Sequence, residues 1–360
     1  MYCMLYRLYL YWVLRRKLVM QIISIEAPGK AVLRTGMPDE KLGSHEVRVH
    51  IKRVSLCGSD YKLFDGKYNA PGTYPVIPGH EWSGEVVETG TDVIKVEAGD
   101  HVTGDCSRYC GKCSNCMSDR NLCQSIEKFG LTIDGFLRSE AVVNEKYIYK
   151  TGRQLSFKAA ALAEPVAVAY HALSGLSIDD IPGKVLVIGC GAIGIAAYLL
   201  LKYELKVKDL YINDLNDKRI NCLDRITGEK SQRYFYSTKG ISNSYGGMYA
   251  EGGFNLVCEM SGSPEAFNTA LEVSAPCGTI VTTGLYGEAS INIGLITMKR
   301  LTVKGSIGGT GEFEKSLQFC QKYQNIIKQL VTSEYNYKNY RDAFIQSHMD
   351  SSNIKTQIVF

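Results

Sequence analysis

The run Val185-Leu-Val-Ile188, followed by Gly189-x-Gly191-x-x-Gly194 and a further apolar stretch, constrains this 360-residue chain more than any other feature. A short, wholly apolar run reads as a strand buried on both faces, and residues 192–202 have the length and composition of a helix. Glycines at such a turn allow a tight reversal and let a phosphate approach the free N–H groups of the helix, whose dipole favours anions. A second strand at 209–213 completes the strand–helix–strand unit that opens a doubly wound parallel sheet. Asp214 closes that strand, 23 residues past Gly191. A carboxylate there accepts from a ribose 2′-hydroxyl and repels a 2′-phosphate. The pattern therefore predicts a dinucleotide site on Gly189, Gly191, Ala192, Ile193, Gly194 and Asp214, with NAD preferred over NADP. Lys218 and Arg219 bear on that preference, and Arg219 is a further candidate contact.

Strands expected at 254–259, 279–283 and 301–304 extend the same sheet. The character before it is different. Residues 21–26 and 31–34 flank the Pro28-Gly29 turn, and Val47, Val49 and Ile51 alternate with polar neighbours as a half-buried strand should. Residues 82–88 read similarly. This half is expected to be a small β-barrel whose loops carry chemistry. A helix is expected over 159–176, with Glu164-Pro165 near its start. The tail, 311–360, returns to helix and mixed structure and is expected to pack back on the first domain. The expected division is a barrel domain of residues 20–165 with 307–360, and a cofactor domain of 166–306; a chain of this length suits two cores.

Residues 1–19 stand apart. Tyr2, Tyr6, Tyr9, Tyr11 and Trp12 surround an apolar stretch too short to span a bilayer, and Arg15-Arg16-Lys17 follows it rather than preceding it. We expect an upstream start codon, with Met20 opening the fold; a weak interfacial anchor is the other reading.

Cys110, Cys113, Cys116 and Cys123 form a C-x2-C-x2-C-x6-C ladder within fourteen residues. Four thiolates close a tetrahedral shell, so the ladder predicts a structural zinc site, with Cys106 as the spare. Twelve cysteines without an export signal favour a reducing compartment, and the cytoplasm is expected. A second site must be assembled from distant residues. Cys57, His80 and Glu164 offer one sulfur, one nitrogen and one oxygen, leaving a fourth position for water or an alcohol. Glu81 is an alternative ligand, or one that exchanges with Glu164. Each has an ordinary reading when taken alone: a core cysteine, a satisfied loop histidine, a charge at a helix N-terminus. The net charge of +4, with no long basic run, calls for no nucleic-acid partner, and no membrane partner is expected.

Cys57-Gly-Ser-Asp60, Pro78-Gly-His-Glu81, Gly99-Asp-x-Val102, the ladder, Ala163-Glu-Pro165 and the Gly189 turn occur in one order. In that order they resemble the zinc-dependent medium-chain dehydrogenases, the superfamily of alcohol, sorbitol and threonine dehydrogenases. The resemblance runs from Met20 to Phe360. It implies a GroES-like β-barrel catalytic domain, a Rossmann cofactor domain and a cleft between them. It also implies one catalytic and one structural zinc. By position, Cys57, His80 and Glu164 look like the catalytic-zinc ligands, with Glu81 beside the metal. Ser59 looks like the hydroxyl that passes the substrate proton onward, and Asp60 like a carboxylate that orients the ligands. Thr283, Gly284 and Leu285 look like the wall beside the nicotinamide. Two departures stand out: the ladder's last gap is six residues where the family usually has seven, and Lys62 occupies the usual place of a relay histidine.

Tyr74-Pro-Val-Ile-Pro-Gly-His-Glu-Trp-Ser-Gly84, Gly104-Asp-Cys, Cys110-Gly-Lys-Cys113 and Phe129-Gly-Leu-Thr-Ile-Asp-Gly135 are similar to the polyol and cyclitol branch, and within it to 2-deoxy-scyllo-inosamine dehydrogenases. The resemblance thus implies hydride transfer from a secondary alcohol to NAD⁺ in a homodimer or homotetramer, with an aminocyclitol as the expected substrate. An open-chain sorbitol- or threonine-type alcohol is the alternative. A dinucleotide-binding scaffold without catalysis is a remote third reading, since fold alone does not fix function.

Overall fold

The computed structural model describes residues 19–37, 41–176, 183–236, 244–249, 252–285 and 287–360. Apart from Val19, the leading segment on which the start-codon reading rests lies outside them.

Two large sheets organise the chain. The first has six strands, all parallel: Gln232–Arg233, Leu210–Asn213, Val185–Ile188, Phe254–Glu259, Ser274–Thr282 and Thr302–Gly305, in that spatial order. Numbered along the chain this is 3-2-1-4-5-6, the doubly wound order that places a ligand crevice where the order reverses. Val185–Ile188 is buried throughout, which is why it reads as an unbroken apolar run. The helix Ala192–Tyr203 packs behind it, burying Ile195, Leu199 and Leu200 among other side chains.

The second sheet has seven strands. Glu46–Leu56 is its long centre, paired with Glu81–Thr89, with Glu140–Asn144 and with the C-terminal strand Lys355–Val359. The tail therefore does return to the N-terminal half, supplying Val331–Asn336 and Lys355–Val359 to its sheet. Trp82, stacked on Phe136 at 4.3 Å, anchors the core beneath it. Met20–Ala27 and Lys30–Gly36 form a separate hairpin about Pro28-Gly29.

The helix expected over 159–176 is two, Phe157–Ala160 and Ala163–Leu173. Pro165 explains the break: it has no N–H to offer the carbonyl of Ala161, so one helix cannot run through both. In the first turn of the second helix the missing donor costs nothing. The restart presents Glu164 at a helix N-terminus. Among the described residues no helix is long and apolar enough to cross a membrane.

Candidate metal and cofactor site

Cys57 follows the central strand Glu46–Leu56 and caps the short helix Gly58–Phe64. Asp60, fully buried, accepts from the Cys57 amide at 2.8 Å and from the Gly79 amide at 3.0 Å. One carboxylate thus ties the backbone of Cys57 to the segment carrying His80 and Glu81. Gly79 has φ +90°, and a Cβ there would lie 2.6 Å from Val54 Cγ1, so the tight approach requires glycine.

Donor atoms of Cys57, His80 and Glu81 lie within 4.8 Å of one another. Glu164 is not in that compact trio, but with Cys57 and His80 it lines a cavity of about 270 Å³ between the two sheets. Glu81 sits behind the wall, where its Oε1 accepts from Lys355 Nζ at 2.6 Å. Burial works against the Lys355 ammonium, yet Glu81, Cys57 and Glu164 outweigh it and hold the lysine above its ordinary pKa. His80 is likewise opposed by burial but raised to about 10 by Asp60 and Cys57. Its Nδ1 and Glu81 Oε2 are buried without hydrogen-bond partners. A local set of anionic groups, Asp60, Cys57 and Glu164, that pulls a proton onto a buried histidine is one that a divalent cation would satisfy instead.

The ladder is assembled as well. Cys110 Sγ lies 3.9 Å from Cys116 Sγ and 3.6 Å from Cys123 Sγ, and Cys113 Sγ lies 4.0 Å from Cys123 Sγ. Four sulfurs at ~2.3 Å from a tetrahedral zinc stand ~3.8 Å apart, so the cluster fits that ion. The 3-10 turn Arg120–Leu122, capped by Asp119, delivers Cys123 across the shortened last gap. Amides of Gln124 and Cys116 draw the Cys113 thiol down to about 6, while burial and neighbouring thiols push Cys116 up to about 12. Adjacent thiols cannot all ionise unaided, and a cation lets them. Among the described residues every cysteine is a free thiol.

On the cofactor side, Gly189 has φ +95° and its added Cβ would lie 2.7 Å from Ser261 N; at Gly194 it would strike Gly189 O at 1.8 Å. At Gly191 an added Cβ meets nothing, the open space a pyrophosphate needs before the helix that starts at Ala192. Asp214 accepts from the amides of Cys190 at 2.6 Å and Asn216 at 2.8 Å, and with Gly189 and Arg219 lines a second cavity. Arg219 Nε donates to Ser351 O at 2.7 Å, so the tail closes one side of that cavity. Ile193, Thr283, Gly284 and Leu285 line the 270 Å³ cavity opposite Cys57, Ser59 and His80.

Sequence reasoning missed Lys355, Ser351 and Lys128. Lys128 lines the same cavity and donates to Ser107 Oγ at 2.8 Å. None of the three belongs to a local motif.

A doubly wound sheet facing a strand-rich half, with a cation-ready cavity between them, defines a metal- and dinucleotide-dependent dehydrogenase. Residues 43–153 match the alcohol dehydrogenase GroES-like domain and residues 192–322 match the zinc-binding dehydrogenase model. The chain belongs to the zinc-containing medium-chain alcohol dehydrogenase family. It is a zinc-dependent NAD(P) alcohol dehydrogenase acting on CH–OH donors. It is 29% identical to the L-threonine 3-dehydrogenase of Colwellia psychrerythraea over 88% of this chain and 92% of that one. It is similar to 2R,3R-butanediol dehydrogenase from Bacillus subtilis, with TM-score 0.78, 25% identity and coverage of 95% and 99%. An alcohol dehydrogenase from E. coli CFT073, solved with NADH, shares the fold at TM-score 0.83 and 24% identity, again over 95% and 99%.

Proposed function

We propose that the enzyme oxidises a secondary alcohol of a small open-chain, polyol-type substrate, using NAD⁺ in preference to NADP⁺. The observation that carries this reading is that Cys57, His80 and Glu164 line one cavity with Ser59 and the segment Thr283-Gly-Leu285. Cys57, His80 and Glu164 would hold the catalytic zinc, because Glu81 is already balanced by Lys355. The four ladder cysteines would hold the structural one. When bound, zinc supplies a Lewis acid for the alcohol oxygen and NAD⁺ a hydride acceptor.

The protein's own groups do the rest. Asp60 fixes the backbone of Cys57 and of the His80 segment. Ser59 takes the hydroxyl proton and passes it outward. Gly189 to Gly194 seat the pyrophosphate, and Asp214 receives the ribose hydroxyls. Thr283, Gly284 and Leu285 hold the nicotinamide face and exclude water. The strand-rich half with its returning tail (20–165 and 307–360) would act as the catalytic domain and 166–306 as the cofactor domain. Free thiols throughout the described residues fit a reducing, cytoplasmic setting. A homodimer or homotetramer is the assembly we expect.

The open-chain reading is supported by the named activities of the threonine and butanediol relatives. The aminocyclitol reading rests on loop wording, and one panel separates the two. Turnover of butane-2,3-diol, sorbitol or threonine, with none of 2-deoxy-scyllo-inosamine, supports the open-chain assignment. Turnover confined to the aminocyclitol overturns it.

A further inference from the structure

The charges around the reaction cavity are lopsided. Glu164 is its sole acidic lining residue among those described, against two lysines, Lys62 and Lys128. Neither lysine is within ion-pair reach of a described carboxylate. Lys128 Nζ donates to Ser107 Oγ at 2.8 Å, and Lys62 Nζ to the Leu285 carbonyl at a long 3.4 Å. Each ammonium has three donors, so both retain unused ones.

A divalent metal on Cys57 thiolate, His80 and Glu164 carboxylate is formally neutral, and Glu81 is balanced by Lys355. What remains on the cavity wall is the charge of the two lysines, offset in part by the Asp60 carboxylate buried 3.9 Å behind His80, and an oxidised nicotinamide adds its own positive charge. A cleft lined by one sign of charge focuses its field and concentrates ligands of the other sign. A neutral polyol gives these ammonium groups no counter-charge, and a protonated amine would face them as a like charge.

We propose that the alcohol oxidised here carries an anionic group, a carboxylate or a phosphate monoester, which Lys128 and Lys62 receive while its hydroxyl faces Cys57, His80 and Glu164. This rests on the placement of the reacting centre at those three residues. It narrows the substrate from polyols in general to sugar acids or sugar phosphates, and it tells against an amine-bearing ring. Lysine suits the task, as a compact point charge that binds either anion without demanding its geometry.

The test compares kcat/KM on matched skeletons with the zinc-loaded enzyme and NAD⁺: sorbitol, gluconate and sorbitol 6-phosphate, and butane-2,3-diol against 3-hydroxybutanoate. An anionic member should exceed its neutral counterpart at least tenfold, and which anion leads distinguishes carboxylate from phosphate. In Lys128→Met that ratio should fall at least tenfold, and rising salt should shrink it in the wild type. A neutral or cationic substrate that matches or beats every anion overturns the proposal. So does a preference that survives both Lys128→Met and Lys62→Met, or a Lys62→Met effect confined to KM for NAD⁺ with Lys128→Met silent. If no alcohol in either panel is oxidised, the site reading itself fails. Calorimetric titration of sorbitol 6-phosphate into the protein–NADH complex then decides the anion question separately. Binding weakened tenfold by Lys128→Met supports it, and no binding overturns it.

Discussion

Lys355 Nζ lies 2.6 Å from Glu81 Oε1 across 274 residues of sequence, and both side chains are almost wholly buried. The pair joins the last strand of the chain to the residue after His80, so the C-terminus is part of what holds the metal-ready cavity together. Cys57 and Glu164 also favour the lysine's charge, but Glu81 is its direct partner. Such a pair is costly to break from one side.

Lys355→Met should therefore destabilise the enzyme by about 3–5 kcal/mol, because it strands the Glu81 carboxylate in the interior. Glu81→Gln combined with Lys355→Met should recover a large part of that loss, giving a coupling above ~1 kcal/mol. Denaturant midpoints of the two single variants and the double variant measure it. Simple additivity would show that the pair does not act as a unit.

Asp60→Asn tests the joint between the ligand segments. Asp60 accepts from two amides, Cys57 N and Gly79 N. Asparagine keeps one acceptor and turns an NH₂ toward the other donor. Metal retention, followed by competition with a chromogenic chelator, should fall ~10–100-fold, with the ladder zinc kept.

Glu140 gives a pH signature away from the metals. Its carboxylate bonds buried Arg48 at 3.0 Å and meets His50 at 3.1 Å. Burial pushes Glu140 up, but His50 and Arg48 outweigh it and hold the carboxyl below its ordinary value. A folded pKa below the unfolded one gives stability that is complete above about 4.3 and is lost as pH falls through the folded value. Glu140→Gln should cost about 1–3 kcal/mol at pH 7, and the gap should close below pH 4 as the wild type protonates. A gap independent of pH would mean that packing, not charge, carries the contribution.

The cofactor sheet was legible because its first strand, Val185–Ile188, is wholly apolar and the turn after it needs glycine; Val185–Ile188 and Phe254–Glu259 lie where their patterns place them. The ladder was legible because its ligands are close in sequence. Other features were harder to read, some for local and some for long-range reasons. The helix at 159–176 divides because Pro165 acts on the carbonyl of Ala161, a backbone effect that apolar composition conceals. Lys355-Thr-Gln357 is an unbroken polar run, as a solvated segment would have, yet all three are buried once the strand docks on Glu46–Leu56. Lys128 joins the cavity because the short strand Glu127–Lys128 pairs with Ser107–Arg108, a pairing across 21 residues. Glu81 and Glu164 offered equivalent carboxylates to a reader of sequence. In the structure Glu81 falls in the compact trio with Cys57 and His80 and accepts from Lys355, while Glu164 lines the cavity.

Two cysteine substitutions should separate the two metals. The protein purified without chelator should carry about two zinc per chain. Cys57→Ser removes a cavity ligand but no core contact of consequence, since Cys57 is half-buried at a helix cap. It should lower zinc to about one per chain and turnover at least ~10³-fold, the equivalent of ~4 kcal/mol, with far-ultraviolet dichroism and melting nearly unchanged. Cys113→Ser should also lower zinc to about one, but through the fold. Cys113 caps the helix Ser114–Ser118, and its thiol meets Cys123 across the lobe, so that lobe should loosen. Limited proteolysis should then cut between residues 108 and 128, where Cys57→Ser resists. If Cys57→Ser instead keeps both zinc ions and full turnover, the catalytic metal is not at the cavity. If Cys113→Ser melts and digests like the wild type, the ladder does not need its metal to hold its shape.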